Sequence, residues 1–352
     1  MTGQPFRNPE GGRIDRSRPL RFTFNGRAYR GYRGDTLASA LLANGVRLVG
    51  RSFKYHRPRG IASAGIEEPN ALVQLETGAR TQPNLQATRI ELYDGLSASS
   101  QNCWPSVGFD LGALNSVFSR LFPAGFYYKT FMWPAKLWML YERVIRAIAG
   151  MGESPSEADP DRYAHRYAHA DVVVVGGGPA GLMAARAAAA GGARVILADD
   201  GAEFGGSLLD TDHPIGGRPA MDWVAELVAE LAGLDNVICL PRTTVTSYYD
   251  HNMLVMAERV ADHVARPAPH QPRQRLWHVR AREVVLATGA MERPLVFADN
   301  DRPGVMLASA ARTYANRYGV RAGGRAVVFT NNSSPYPAAA DLARAEIGRA
   351  HV

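Results

Sequence analysis

Apolar and polar positions follow two different rhythms along this chain. Residues 20–24 alternate, Asn25-Gly26 follows, and residues 28–32 alternate again, which predicts a hairpin closed by a two-residue turn. Asp35 is placed to cap a helix over 37–44 that stops at Gly45. Apolar runs at 71–76 and 88–93 predict two more strands of a small mixed sheet. From 171 the pattern turns to continuous apolar runs of buried, parallel-strand type at 171–175, 194–198 and 283–290. Helical spacing covers 182–190 and 221–231, a short strand fits 237–240, and a last strand at 325–330 precedes a helix from about Pro337.

A hairpin followed by a helix opens a β-grasp, ferredoxin-like domain, and strands alternating with helices make a Rossmann-like unit. The expected fold is therefore α/β, with a ferredoxin-like domain at 18–100 and an FAD/NAD(P)-binding domain at 169–345. Residues 1–17 read as a flexible arm rich in Gly, Pro and Arg. Between the domains, 101–168 is dense in aromatics: Trp104, Phe126, Tyr127, Tyr128, Phe131, Trp133, Trp138 and Tyr141. They require a partner surface, with packing against a neighbouring domain favoured over a subunit interface. Residues 152–157 read as an exposed linker.

The strongest chemical signal is Asp171-Val172-Val173-Val174-Val175-Gly176-Gly177-Gly178-Pro179-Ala180-Gly181. A strand runs into Gly-x-Gly-x-x-Gly and then a helix. Gly176 permits the tight turn, Gly178 a close backbone approach to a pyrophosphate, and Gly181 close packing of helix on strand. The helix N-terminus, carrying Pro179 and Ala180, turns free N–H groups toward the phosphates. Asp200, with Asp199 as the alternative, ends the next strand and suits a ribose hydroxyl. Gly205-Gly206-Ser207 supplies a covering loop, and the Thr288-Gly289 turn ends the strand that returns to the nucleotide. Asn331-Asn332-Ser333-Ser334-Pro335-Tyr336, where a second fingerprint would lie, has no glycine, so one dinucleotide per chain is expected.

Other chemistry is thin. His165 and His169 have i, i+4 spacing but no third ligand, and His251, His263 and His270 lie in an Arg- and Pro-rich stretch read as irregular and solvated. His56 reads as structural or as a phosphate contact. No catalytic residue and no metal site is assigned, since neither a nucleophile turn nor a carboxylate pair with assignable roles is present. The two cysteines, Cys103 and Cys239, support neither a disulfide framework nor a cluster and fit a reducing cytoplasm. A formal charge of +7 comes from scattered arginines, with Lys54, Lys129 and Lys136 the only lysines, so no nucleic-acid partner is indicated. The most apolar stretch, 121–150, is broken by charges and Pro134, which argues against a membrane span.

Several long strings carry a family resemblance: Arg51-Ser52-Phe53-Lys54-Tyr55-His56-Arg57-Pro58-Arg59-Gly60, Glu68-Pro69-Asn70-Ala71-Leu72-Val73, Ser100-Gln101-Asn102, Trp104-Pro105-Ser106, Ala124-Gly125-Phe126-Tyr127-Tyr128-Lys129-Thr130-Phe131-Met132-Trp133-Pro134 and Gly289-Ala290-Met291-Glu292-Arg293-Pro294. With the glycine motif they make the chain resemble the α subunit of heterotetrameric sarcosine oxidase. The resemblance implies oxidative demethylation of sarcosine to glycine with hydrogen peroxide, and one-carbon transfer to tetrahydrofolate. It also implies NAD in this chain, FAD in the β subunit, FMN between the two, and γ and δ subunits beside them. FAD at the same glycines, in a subunit of a related amine or opine dehydrogenase, is the alternative, as is a non-catalytic assembly subunit with a structural dinucleotide. Iron–sulfur relatives carry cysteines near the Arg-Ser-x-Lys-Tyr-His string, whereas residues 1–102 here contain none, so a scaffold without a cluster is expected. The family continues beyond position 352 into a folate-binding domain. Residues 346–352 match the in-frame translation of a common sequencing-adapter oligonucleotide and read as an artefactual tail on an N-terminal fragment.

Overall fold

Asn25-Gly26 turns strand β1 (Asp15–Phe24) back into β2 (Arg27–Arg33), with Phe24 paired to Arg27. In this computed structural model, which describes residues 3–121, 133–211, 213–345 and 347–351, contacts divide the chain into residues 1–160 with 293–352, and residues 161–292.

The first unit is built on a five-stranded sheet of order β2-β1-β7-β5-β6, with β5 at Leu72–Leu75, β6 at Gln82–Gln86 and β7 at Leu96–Ser100. A short pair, β3 (Gly50–Arg51) and β4 (Pro58–Arg59), lies outside it. Helix α1 (Leu37–Ala43) is buried on all sides among Phe22, Phe24 and Leu96. Its cap is Thr36, not Asp35: Thr36 and Ser39 exchange side-chain-to-backbone bonds in a capping box. Asp35 instead accepts from Tyr32 N at 2.9 Å, Ser39 Oγ at 2.6 Å and both ends of the Arg7 guanidinium at 3.0 and 2.6 Å. Arg7 also donates to the Tyr318 carbonyl at 2.7 Å, so the stretch expected as a flexible arm is anchored there.

Residues 88–93 are not a strand. Their apolar side chains Ile90 and Leu92 are buried, but the carbonyls of Ala87 and Ile90 accept from the first turn of α1, and Leu92 N donates to Asp35 O. The ladder positions fall at β6 and β7, and Pro83 is tolerated because β6 is an edge strand. Residues 293–352 also depart from expectation, grouping with the first unit. The helix Ala308–Asn316 places Tyr314 in the core of the β-grasp sheet, with its hydroxyl donating to Ser63 O at 2.8 Å. Among the described residues, the strand Arg325–Val327 pairs only with Gly348–His351.

The aromatic segment turns its polar groups inward. Asp110 lies 2.6 Å from His56 Nδ1 and accepts from Trp104 N, Arg51 donates to Val107 O, and Ser116 Oγ to Tyr55 O. Its apolar side chains face outward, Trp104 being 68% exposed, Val117 75% and Trp133 82%. Helix α2 (Trp138–Ala149) continues that exposed row through Trp138, Met139 and Leu140. Phe126, Tyr127, Tyr128 and Phe131 lie outside the described residues.

The second unit is a six-stranded sheet of order β10-β9-β8-β13-β12-β11. Strand β8 (Tyr163–Val175) pairs in parallel with β13 (Gln274–Leu286) on one side and β9 (Val195–Ala198) on the other; β10 (Val237–Leu240) extends the parallel half. Helices α3 (Pro179–Ala190) and α4 (Ala220–Ala232) bury Leu182, Val224, Leu227 and Leu231 against it. The stretch read as irregular is largely an antiparallel meander, β11 (Thr243–Tyr249) and β12 (Met253–Arg259) running into β13. His251 sits in its tight turn, while His165 and His169 lie on β8, about 13 Å apart along one strand face, too far to share an ion. Among the described residues no group of three or more His, Cys, Asp or Glu is placed to hold a metal ion, and no helix is long and apolar enough to cross a membrane.

Arg273 closes the start of this sheet, donating to Asp262 at 2.8 Å and Asp161 at 2.7 Å. Burial disfavours its charge, but the two carboxylates outweigh that and push its pKa up. Replacing it (Arg273→Met) removes the cation that two carboxylates share, so urea unfolding should show a loss of about 3 kcal/mol. A variant as stable as the wild type would remove the ion pairs from the account of this unit.

Candidate dinucleotide site

Because β8, β9 and β13 are parallel, their C-terminal ends open on one edge of the sheet, and the glycine-bearing turns gather there. Gly176 leaves β8 with φ of 103°, a left-handed conformation that disfavours a side chain. Its N–H donates to Ala198 O at 2.8 Å. A Cβ on Gly181 would lie 1.8 Å from Gly176 O, so the helix meets the strand end in van der Waals contact. Gly178 is the N-cap of α3 and Pro179 opens its first turn. With no side-chain cap there, the first-turn N–H groups point out of the helix toward whatever sits at its end.

The two candidate acids have different surroundings. Asp199 Oδ2 accepts from Gly177 N at 2.6 Å, and its Oδ1 accepts from Gly201 N at 2.8 Å. The side chain therefore ties the glycine loop to the loop after β9. Asp200 is half-buried, and its carbonyl accepts from Arg259 Nη2 at 2.5 Å.

The Gly205-Gly206-Ser207 loop closes over the fingerprint. Gly205 N donates to Gly177 O at 2.8 Å, and a Cβ on Gly206 would stand 2.8 Å from Gly178 Cα. Thr288 lies beside the Gly176 turn, its Cα 3.3 Å from where a Gly176 Cβ would be, and Gly289 follows with φ of 72°. Sequence reasoning overlooked Gly177 and Phe204. A Cβ on Gly177 would come within 2.2 Å of the Phe204 ring, so this variable position of the fingerprint also needs glycine. The third consecutive glycine was the available signal. In the other unit, the loop at 331–336 uses its own side chains: Thr330 Oγ1 accepts from Asn332 N and Asn332 Oδ1 from Ser334 N.

Two families match the chain. One, described as 2Fe-2S iron-sulfur cluster binding domain, matches residues 17–103; the other, described as Pyridine nucleotide-disulphide oxidoreductase, matches 170–328. The donors of the first stretch do not fit a cluster, which takes four cysteine thiolates, because its sole cysteine is Cys103. Burial and the neighbouring Asp110 charge push the Cys103 thiol up. Among solved structures, L-proline dehydrogenase from P. horikoshii shares the fold, with a TM-score of 0.64 at 20% identity over 99% of this chain and 55% of that one. Sarcosine oxidase subunit alpha of Rhizobium meliloti (strain 1021) is 55% identical over 97% of this chain and 35% of its own length. The subunit of the same name from Corynebacterium sp. (strain P-1) is 43% identical over 96% and 31%. Spanning about a third of the length of these relatives, the chain belongs, over that span, to the family of sarcosine oxidase α subunits.

Proposed function

We propose that this chain supplies an NAD-class dinucleotide site to a sarcosine oxidase-type assembly, which demethylates sarcosine oxidatively and passes the one-carbon unit to tetrahydrofolate. The observation that carries the site is the convergence of the uncapped N-terminus of α3, the Gly176–Gly178 turn and Asp199 on one edge of a parallel sheet. The backbone N–H groups of the first turn of α3 would receive the pyrophosphate. Asp199 would accept a ribose hydroxyl while keeping its two backbone bonds. Asp200, the other acid, would line the adenosine side. A bound nicotinamide would supply hydride chemistry, and this chain's part is to hold and orient it.

The catalytic residues for amine oxidation belong on this reading to other parts of the assembly. The printed names of the relatives designate an alpha subunit. Partner β, γ and δ subunits, with FAD and FMN among them, follow from that as part of the proposal. The outward apolar side chains of Trp104, Val117, Trp133, Met139 and Leu140 support such partners. Two free cysteines support a reducing cytoplasm as the compartment.

Release of the bound nucleotide from the purified chain, followed by mass spectrometry and an absorbance spectrum, tests the cofactor. NAD is expected. A yellow protein releasing FAD would select the flavin alternative, since both share the adenosine diphosphate half that the fingerprint reads. A paired substitution separates binding from folding. A Cβ on Gly178 meets only Gly206 Cα, at 3.7 Å, so Gly178→Ala should melt within about 2 °C of the wild type yet bind dinucleotide at least about tenfold more weakly. Gly181→Ala should instead lower stability by about 2 kcal/mol or more through its clash with Gly176 O. Undiminished titration of dinucleotide into Gly178→Ala would displace the pyrophosphate from this loop.

A further inference from the structure

Four backbone N–H groups converge on one buried side chain in the first unit. Glu68 Oε2 accepts from Ala62 N at 2.8 Å and Ser63 N at 2.7 Å; Glu68 Oε1 accepts from Asn70 N at 2.8 Å and Ala71 N at 2.9 Å. All of the roughly four lone-pair sites of a carboxylate are thereby filled by the main chain. Glu68 is 2% exposed and Ser63 not at all, and the Ser63 hydroxyl is a buried oxygen with no hydrogen-bond partner. A loop folded so that successive N–H groups point into one concavity is an anion cradle of the kind found around phosphates and iron–sulfur clusters.

The spacing of these residues narrows the comparison. Plant-type [2Fe–2S] clusters take their first three ligands from C-x4-C-x2-C. Ser63, Glu68 and Ala71 stand at that spacing, inside the stretch that matches the cluster-binding family. The fourth ligand of that pattern lies farther along the chain. Here Ala87 is fully buried, and its N–H donates to the Ala71 carbonyl at 2.9 Å, so the fold brings it against the third position.

We propose that the loop at 62–71 is an iron–sulfur cradle without thiolates, in which the Glu68 carboxylate takes the place of the cluster. The loop still presents inward N–H groups to an anion, as it would to the sulfurs of a cluster. Glutamate at the second ligand position provides that anion from within the chain, and serine and alanine at the first and third leave nothing to bind iron. Glu68 is accordingly what keeps the loop, and the Tyr314 hydroxyl that donates to Ser63 O, in place.

The test combines Ser63→Cys, Glu68→Cys, Ala71→Cys and Ala87→Cys in the full 352-residue chain, followed by anaerobic incubation with ferric iron and sulfide. One [2Fe–2S] cluster per chain is expected, seen as equal iron and labile sulfide, visible charge-transfer bands and the EPR signal of the reduced form. The wild type should take up none. A four-cysteine chain that folds and binds no cluster overturns the proposal. Glu68→Ala keeps the question open to decision if the four-cysteine chain does not fold. Sodium formate should raise its Tm above that in sodium chloride of equal ionic strength while leaving the wild type unchanged. Equal melting of Glu68→Ala in the two salts would show that the cradle has no use for a carboxylate, and would overturn the proposal as well. Both readouts are independent of the dinucleotide site.

Discussion

The parallel pairing of β8 with β13 is the contact on which the second unit depends. Both strands are thirteen residues long and stay in register from Tyr163 opposite Gln274 to Val175 opposite Leu286. Their first halves carry the meander, with Trp277 and Val279 buried beneath it. Their last residues release two turns, at Gly176 and at Thr288, side by side. A strand long enough to serve both halves places the glycine loop by backbone hydrogen bonds, to which the Asp199 side chain adds one tie at Gly177 N.

Carboxylates then do locally what the ladder does globally. Glu68 and Asp199 each accept backbone N–H groups from a loop that belongs to no sheet, and Asp35 accepts one from Tyr32 near the end of β2. Each lies buried or half-buried, where an unpaired N–H is costly, and each satisfies donors that water does not reach. The loops around them are consequently as well determined as the strands.

Much of this was readable from the residues. The Asn25-Gly26 hairpin, α1, the glycine fingerprint and the strands at 194–198 and 237–240 follow from local rules that the tertiary structure respects. Residues 88–93 misled because burial of Ile90 and Leu92 looks the same whether the neighbouring carbonyls bond a strand or a helix end. The meander was missed because Arg and Pro around 259–275 hide the alternation of Leu254 and Met256, which point into the core. The destination of a carboxylate is a tertiary property: nothing local distinguishes Asp35, which binds Arg7, from Thr36, which caps the helix, or Asp199 from Asp200. Glu68 was visible only as part of a family string.

The contact between Gly206 and Gly178 couples two loops that are twenty-eight positions apart in sequence. Gly206 cannot gain a side chain without displacing the Gly178 backbone, whereas a methyl group on Gly178 meets Gly206 in ordinary van der Waals contact, so the constraint runs one way. A loop with a side chain at position 206 cannot be exchanged into this fold without moving the glycine turn. Relatives with a side chain at position 206 should show a compensating change in the glycine turn, while those with one at position 178 need none in the second loop.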